Sequence, residues 1–454
     1  MISMAKSKES LRAGASTGLG RQPHEQWRWW VLVAVLATAS CRSQGPADVG
    51  SSRAPSSPAS GAAAQITGAA TPERRERSRL RVAIDQAAGY LVRACYLNGR
   101  FNYRINLDPD ITPRRAYNIL RHAGAIHALA SYQQRWPRPE VLAALLRASS
   151  YLRDRHVAPL PENGALSAVW SEDVNDDLWE AKLGGAGLAL VAFQGVETVA
   201  NGATDLSQQQ ALGAFITYLQ KKDGSFYSKY FAEDEHRSDS WTSLYYPGEA
   251  ALGLLLLNRR DPNGKWISAA VQAIGHLARL RQGRRHVEPD HWALLATAQL
   301  LDSWDQLGAQ DGVAVTRALV IDHAAQICES MLAGLPSHPL GSPLHGSFGG
   351  DGRTTPTATR LEGLMAALTF LPDRHAALRG RIRAAAAAGV DFLLRSQVTS
   401  GPHRGALPRA IGRLADQPAE SPFNRRATEV RLDYVQHALS AWIQFLELPP
   451  EISR

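Results

Sequence analysis

Six nine-residue segments of this 454-residue chain share one pattern. Each opens with a polar residue or a tyrosine and continues with small and apolar residues on almost every side of a helix. The segments are 121–129, 182–190, 246–254, 290–298, 360–368 and 431–439, with starts 61, 64, 44, 70 and 71 residues apart. A helix that is apolar all round is a buried helix, so the pattern predicts six helices in the centre of one repeating fold.

A second kind of helical segment precedes each of these six. The segments 79–96, 140–155, 206–222, 265–282, 313–334 and 376–397 carry their charges on one side, as helices with one face in solvent do. Long alternating runs typical of strands are missing. The sequence therefore predicts an all-α domain over residues 77–450, in which six helical hairpins form an inner and an outer ring, since each hairpin buries its apolar face only against its neighbours.

One local motif points to a known superfamily. Residues 220–226 read QKKDGSF, similar to the QxxDGSW repeat of squalene cyclases, with weaker echoes at 98–101 (NGRF) and 345–348 (HGSF). With the six hairpins, the chain resembles the α/α toroids over roughly residues 77–447. That superfamily includes six-hairpin glycosidases, the C-terminal domains of uronyl epimerases, and terpene cyclases with protein prenyltransferases. The resemblance implies an (α/α)6 toroid, whereas the DGSF turn itself is interpreted as structural.

The N-terminal residues read as an export signal. Basic residues precede the run WRWWVLVAVLATASC at 27–41, which is too short for a comfortable transmembrane helix of roughly 20 apolar residues. Residues 39–41 resemble a bacterial lipobox with Cys41 as the lipidated residue, although Thr38 stands where Leu is usual. Cleavage after Ala39 by an ordinary signal peptidase is the alternative. We expect a signal over 1–41, a Ser/Pro/Ala/Gly-rich tether over 42–76, and an envelope lipoprotein bound to the membrane through its lipid.

Charge and cysteine content exclude several classes. The net charge is +8, but residues 1–80 hold 11 basic and 5 acidic side chains, so the folded part is close to neutral and a nucleic-acid partner is not expected. Cys95 and Cys328 allow one disulfide at most, and no CxxC metal motif occurs. No metal and no cofactor are predicted. The terpene-cyclase DxDD motif, a phosphate loop, a GxSxG elbow and an HExxH motif are also missing.

Polar residues cluster where the six buried helices begin. In toroids the inner helices start around a common depression, so these side chains are expected to line one cavity. The predicted ligand-binding residues are Arg121, His122, Lys182, Tyr245, Tyr246, His291, Trp292, Arg360, Glu362, Arg431, Asp433 and Tyr434. Aromatic faces stack on sugar rings and charged groups bind hydroxyls, so the expected ligand is a saccharide or another polyhydroxylated molecule. The excess of arginine and lysine suggests that the ligand is acidic.

Carboxylates in the same set could carry acid/base chemistry. Asp290, Glu180 and Glu249 are the predicted catalytic residues of a hydrolase, lyase or epimerase. Structural roles compete for each: Asp290 could cap its helix, Glu180 could join a salt bridge between helices, and Glu249 could bond amides of its own helix start. His122 could be a hydrogen-bonded core histidine. A non-catalytic lipoprotein that binds a glycan or peptidoglycan fragment and a terpenoid-cyclase-like enzyme remain as alternatives.

Overall fold

A computed structural model describes residues 72–172, 178–233, 235–307 and 315–448. The predicted signal, Cys41 and nearly all of the tether lie outside these residues. The α-helices are α1 Pro72–Ala94, α2 Ile119–Arg135, α3 Pro139–His156, α4 Leu183–Val199, α5 Leu206–Tyr218, α6 Tyr246–Arg260, α7 Gly264–Arg281, α8 His291–Asp302, α9 Arg317–Ala333, α10 Thr354–Leu368, α11 Ala376–Ser396, α12 Asn424–Ala427 and α13 Leu432–Glu447.

The helices form two concentric rings. Helices α2, α4, α6, α8, α10 and α13 each pack on the next, and α13 returns to α2. Helices α1, α3, α5, α7, α9 and α11 pack outside them, and α1 lies against α13, so the ring is closed. The predicted all-α toroid of six hairpins is therefore confirmed. Two helices depart markedly from their predicted starts: α1 begins at Pro72 rather than at residue 79, and α10 begins at Thr354 rather than at residue 360.

Glycine allows the inner helices to approach closely. A Cβ at Gly187 of α4 would lie 2.5 Å from the carbonyl oxygen of Glu249 in α6. A Cβ at Gly253 of α6 would lie 2.6 Å from the carbonyl oxygen of Gly187. The two helices thus touch backbone to backbone, which explains why the buried segments are rich in small residues.

The DGSF turn fastens neighbouring outer helices together. Gly224 has a φ of +88°, and a Cβ there would lie 2.4 Å from the carbonyl oxygen of Gln272 in α7. The same arrangement recurs where Gly99 meets α3, Gly346 meets α11 and Gly405 meets α1. Phe226 fills the gap beneath the turn with 6% exposure. The motif is structural, as predicted.

Short strands order the loops at the ends of the hairpins. They are β1 Arg104–Asn106, β2 Val157–Pro159, β3 Ser167–Glu172, β4 Leu178–Lys182, β5 Lys229–Phe231, β6 His236–Ser238 and β7 Glu429–Arg431. Strands β2 to β6 form an antiparallel sheet in chain order, and β1 pairs with β7. The sequence did not predict these strands, because pieces of three to six residues show no readable alternation. Strand β4 leads directly into α4, and β7 into α13.

Two sequence features take simple forms in the structure. Cys95 and Cys328 are both buried and free, so the disulfide that the cysteine count allowed is not formed. No helix among the described residues is long and apolar enough to cross a membrane.

Candidate functional site

A cavity of about 430 Å³ lies where the inner helices begin. Its walls come from the N-terminal parts of α2, α4, α6, α8, α10 and α13, from α12, and from the loop between α11 and α12. The lining residues are Leu120, Arg121, Gly124, Leu188, Tyr245, Glu249, Pro289, His291, Trp292, Arg353, Thr355, Pro356, Thr359, Arg360, Arg409, Arg426, Arg431, Asp433, Tyr434, Gln436 and His437. The volume falls within the range of about 300–1,000 Å³ typical of small-molecule sites.

Two histidines meet in one wall of this cavity. His437 of α13 shares a 2.7 Å hydrogen bond between its Nδ1 and Oε2 of Glu362, a buried carboxyl of α10. The ring of His291, the first residue of α8, lies 5.6 Å from the His437 ring between centroids. With Nδ1 bound to Glu362, Nε2 is the nitrogen that His437 can offer to a ligand.

His291 is a buried histidine without a hydrogen-bond partner. Both of its ring nitrogens are inaccessible and unpaired among the described residues. Burial and the neighbouring His437 hold the pKa of His291 well below its usual value, so the ring is neutral. The ring packs edge-on against Tyr245 at 4.9 Å between centroids. A buried polar group without a partner carries a free-energy cost, which a ligand in the cavity can offset.

Glu249 contributes an unpaired carboxyl to the same cavity. It is 5% exposed, and its Oε2 has no hydrogen-bond partner among the described residues. Burial raises the pKa of Glu249 to about 8, against the opposing effect of Arg121. The carboxyl is therefore largely protonated at neutral pH and able to donate a proton. Gly184 of α4 leaves the space for it, since a Cβ there would lie 2.0 Å from Oε2.

Asp433 is the second carboxyl of the cavity, and it is tied to two arginines. Its Oδ2 lies 3.1 Å from Nε of Arg121 and accepts a 2.7 Å hydrogen bond from Nη2 of Arg431. Burial would raise the pKa of Asp433, but Arg121 and Arg431 outweigh it and hold the pKa below its ordinary value. Asp433 is thus a fixed anion that positions two cations.

Six predicted site residues do not line the cavity, namely Asp290, Glu180, Lys182, His122, Tyr246 and Glu362. Asp290 does not line the cavity: its Oδ1 accepts a 3.0 Å bond from the amide of Ala293, and its Oδ2 a 2.8 Å bond from Nη2 of Arg281. It caps α8 and pairs with a buried guanidinium. Glu180 lies on β4, where Lys182 and Lys229 contact its two oxygens at 2.6 and 2.8 Å. The geometry therefore supports a structural role for each residue: Asp290 caps its helix, and Glu180 joins salt bridges.

Of these six residues, His122 is a core histidine. The hydroxyl of Tyr117 lies 2.7 Å from Nδ1 of His122, and the carbonyl oxygen of Ala148 lies 2.8 Å from Nε2. Burial lowers the pKa of His122 to about 3. Tyr246 packs against Trp241, and Glu362 stands behind His437 rather than in the wall.

Sequence reasoning missed His437 and three arginines of the cavity. The predicted set holds residues at or beside the start of each inner segment, whereas His437 lies one helical turn beyond Asp433 and therefore on the same face. A histidine in an otherwise apolar helix is the signal that could have found it. Arg353, Arg409 and Arg426 lie outside the inner segments, where no periodicity predicts their positions.

One group of side chains among the described residues comes close to a metal-binding arrangement. The donor atoms of His291, Glu362 and His437 lie within 4.8 Å of one another. Glu362 and His437 already form a hydrogen bond with each other, with 2.7 Å between Oε2 and Nδ1. A metal ion with ligand bonds of about 2.0–2.2 Å would have to replace that bond.

At the level of sequence, the chain matches no family model and no curated protein. Solved structures share its fold. Cellobiose 2-epimerase from Bacillus thermoamylovorans gives a TM-score of 0.57 at 12% identity, covering 82% of this chain and 99% of that one. A D-mannose isomerase gives 0.56 at 12%, covering 81% and 97%. An α-1,6-mannanase from a Salegentibacter species gives 0.52 at 12%, covering 82% and 99%. These likenesses identify the fold as an α/α toroid.

Proposed function

We propose that this protein is an aldose–ketose isomerase that moves a proton between two adjacent carbons of a sugar. The observation that carries the proposal is the His437–Glu362 pair beside the buried His291, whose ring nitrogens have no hydrogen-bond partner in the part of the chain that the structure describes. A histidine held by a carboxylate on one nitrogen is poised to act as a base through the other. Two of the structural neighbours, an epimerase and an isomerase, are named for rearrangements of sugars.

The chemistry requires a base for carbon and an acid for oxygen. In the proposed reaction, Nε2 of His437 takes the proton from carbon 2 of the open-chain aldose, and the electron pair forms an enediol as Glu249 protonates the carbonyl oxygen. His437 returns its proton to carbon 1. Glu249 recovers its proton from the hydroxyl on carbon 2, whose oxygen becomes the ketone. The guanidinium of Arg121 stabilises the negative charge that develops on these oxygens.

The spacing of the two histidines favours isomerisation over epimerisation. Epimerisation needs proton exchange on both faces of one carbon. A carbon held between two rings needs about 3.5–4.0 Å of contact distance on either side. The centroids of His291 and His437 are only 5.6 Å apart, so a substrate carbon does not fit between the two rings. In isomerisation the proton leaves carbon 2 and returns to carbon 1 on the same face of the sugar, so one base is enough.

Glycoside hydrolysis is less well supported by the cavity. It needs one carboxylic acid and one free carboxylate. Here Glu249 could be the acid, but Asp433 is bound by two arginines. An inactive variant of the Salegentibacter mannanase carries replacements of two adjacent aspartates. Among the described residues no such pair lines the cavity, while Asp176 and Asp177 lie outside the described part. The arginine-rich lining also disfavours a terpenoid substrate, which needs apolar walls.

The proposal is tested by proton exchange at carbon. We expect the purified full-length protein, incubated with aldohexoses in D₂O, to incorporate deuterium at carbon 2 of recovered aldose and at carbon 1 of the ketose formed. Nuclear magnetic resonance measures both positions. Interconversion of two aldoses without ketose would instead identify an epimerase. Release of reducing ends from an α-1,6-mannan without deuterium at carbon would contradict the proposal in favour of a hydrolase, and binding without turnover would favour the glycan-binding alternative.

We also propose that the protein is exported and anchored through Cys41. The support is the basic segment, the short apolar run and the small residues before Cys41. We expect an alkyne fatty acid supplied to growing cells to label the wild-type protein and not Cys41→Ser. Equal labelling of both proteins would contradict the lipid anchor. A mature N-terminus at Ser40 would also contradict it, while leaving export intact.

A further inference from the structure

The arginines of the cavity outnumber the carboxylates available to them. Six arginines and two carboxyls line it among the described residues, and one of those carboxyls, Glu249, is largely protonated at neutral pH. Some of the six have acid partners just outside the wall: Arg353 lies 2.7 Å from Asp351, and Arg426 donates a 2.9 Å hydrogen bond to Glu429.

Arg360 and Arg409 differ from the other four arginines of the cavity. In the described part of the chain, neither makes an ion pair with a carboxylate. Nη1 of Arg360 donates to the carbonyl oxygen of Phe348 at 2.6 Å, and the guanidinium of Arg409 lies over the ring of Phe423 at 4.7 Å from its centroid. Burial lowers the pKa of both, and the nearby charge of Arg353 lowers it further. Two partly buried cations beside a third cation are electrostatically unfavourable unless an anion joins them.

The backbone holds this arginine group firmly. The amide of Thr354 donates a hydrogen bond to the carbonyl oxygen of Arg409 at 2.9 Å. The amide of Arg409 donates one to the carbonyl oxygen of Glu429 at 2.7 Å. Three chain segments far apart in sequence are therefore joined at the arginines. Nη1 of Arg409 and the hydroxyl of Thr355 are buried without hydrogen-bond partners among the described residues. Donors fixed in place before a ligand arrives lose little entropy when it binds.

From this arrangement we infer that the cavity takes a sugar carrying an anionic group, a phosphate or a carboxylate, which Arg360, Arg409 and Arg353 bind. This inference rests on the proposed function, because it names the charge of that reaction's substrate. Tyr245 contacts the ring of His291 and lies close enough to Arg360 to affect its pKa. The arginine group and the two histidines line the same cavity of about 430 Å³, so one sugar can reach both.

Binding of three matched sugars tests the inference. We expect mannose 6-phosphate or mannuronate to bind the full-length protein at least about tenfold more tightly than mannose, since a hydrogen bond to a charged group contributes more than a neutral one. Isothermal titration calorimetry measures the affinity for all three sugars. The anionic sugar that binds more tightly shows whether the site prefers a phosphate or a carboxylate. The preference should weaken as salt is raised.

Variants assign the effect to the arginine group. Arg409→Gln should lose roughly tenfold or more in affinity for the anionic sugar and little for mannose. Arg285→Gln, a change at an exposed arginine outside the cavity, is the matched control and should bind like the wild type. Mannose binding as tightly as both anionic sugars, or equal losses for all three in Arg409→Gln, would overturn the inference. Binding of an anionic sugar without deuterium exchange would contradict the isomerase proposal alone.

Discussion

Replacing His437 by asparagine is expected to lower the rate of deuterium exchange at carbon 2 by about 100- to 10,000-fold, the usual contribution of a general base. Asparagine can still bond to Glu362, so the cavity keeps its shape, but its amide cannot take a proton from carbon. Sugar affinity should therefore change little while the catalytic rate falls. Nuclear magnetic resonance of the exchange reaction and calorimetry of binding measure the two effects separately.

His286→Asn is the matched control for this experiment, because His286 is exposed and does not line the cavity. It should exchange at the wild-type rate. Glu362→Gln keeps an oxygen that can accept the bond from Nδ1, so we expect a smaller loss than in His437→Asn. Unchanged exchange in His437→Asn would eliminate His437 as the base, and with it the proposed assignment of roles.

Asp290→Asn is expected to destabilise the fold by roughly 3–5 kcal/mol, the cost of breaking a buried ion pair from one side. Arg281 is 4% exposed and Asp290 fully buried, so the guanidinium would be left without its anion. Burial raises the pKa of Asp290 and Arg281 opposes that rise, so the pair is itself costly to bury. Asparagine retains an oxygen for the amide of Ala293, which keeps the helix cap and isolates the effect of the lost charge.

Chemical denaturation followed by circular dichroism measures this loss of stability. The double variant Arg281→Met, Asp290→Asn removes both charges and should recover much of the lost stability, as expected when an ion pair is replaced by uncharged groups. At temperatures where Asp290→Asn remains folded, exchange activity should stay close to that of the wild type. A stable but inactive Asp290→Asn would return Asp290 to the catalytic role that the sequence suggested.

The fold could be read from the sequence because its signal is repeated six times. All-round apolarity marks the inner helices, and one-sided charge marks the outer ones. The start of α10 was predicted six residues too late because residues 354–359 read TTPTAT, and four threonines with a proline do not look like a buried helix. The strands could not be predicted from the sequence, because their hydrogen bonds depend on loops that the toroid brings together rather than on a local residue pattern.

The site could be predicted only in part. Arg121, Glu249 and His291 lie near the starts of inner helices, and all three line the cavity. The same criterion also selected Asp290, because a helix cap and a catalytic acid use the same residue at the same place. Arg409 could not be found, since its place depends on a loop that pairs with β7 through backbone amides.

Gly405 gives the toroid a property that open repeat proteins lack. A Cβ there would lie 1.9 Å from the carbonyl oxygen of Gln86, so the turn after α11 fits onto α1 as the DGSF turn fits onto α7. Open repeat arrays end in repeats with a polar outer face, which shield the core from water. Here the last hairpin fastens to the first, every hairpin has two neighbours, and the repeat needs no terminal cap. The six units can therefore diverge in length and sequence without any of them having to act as the end.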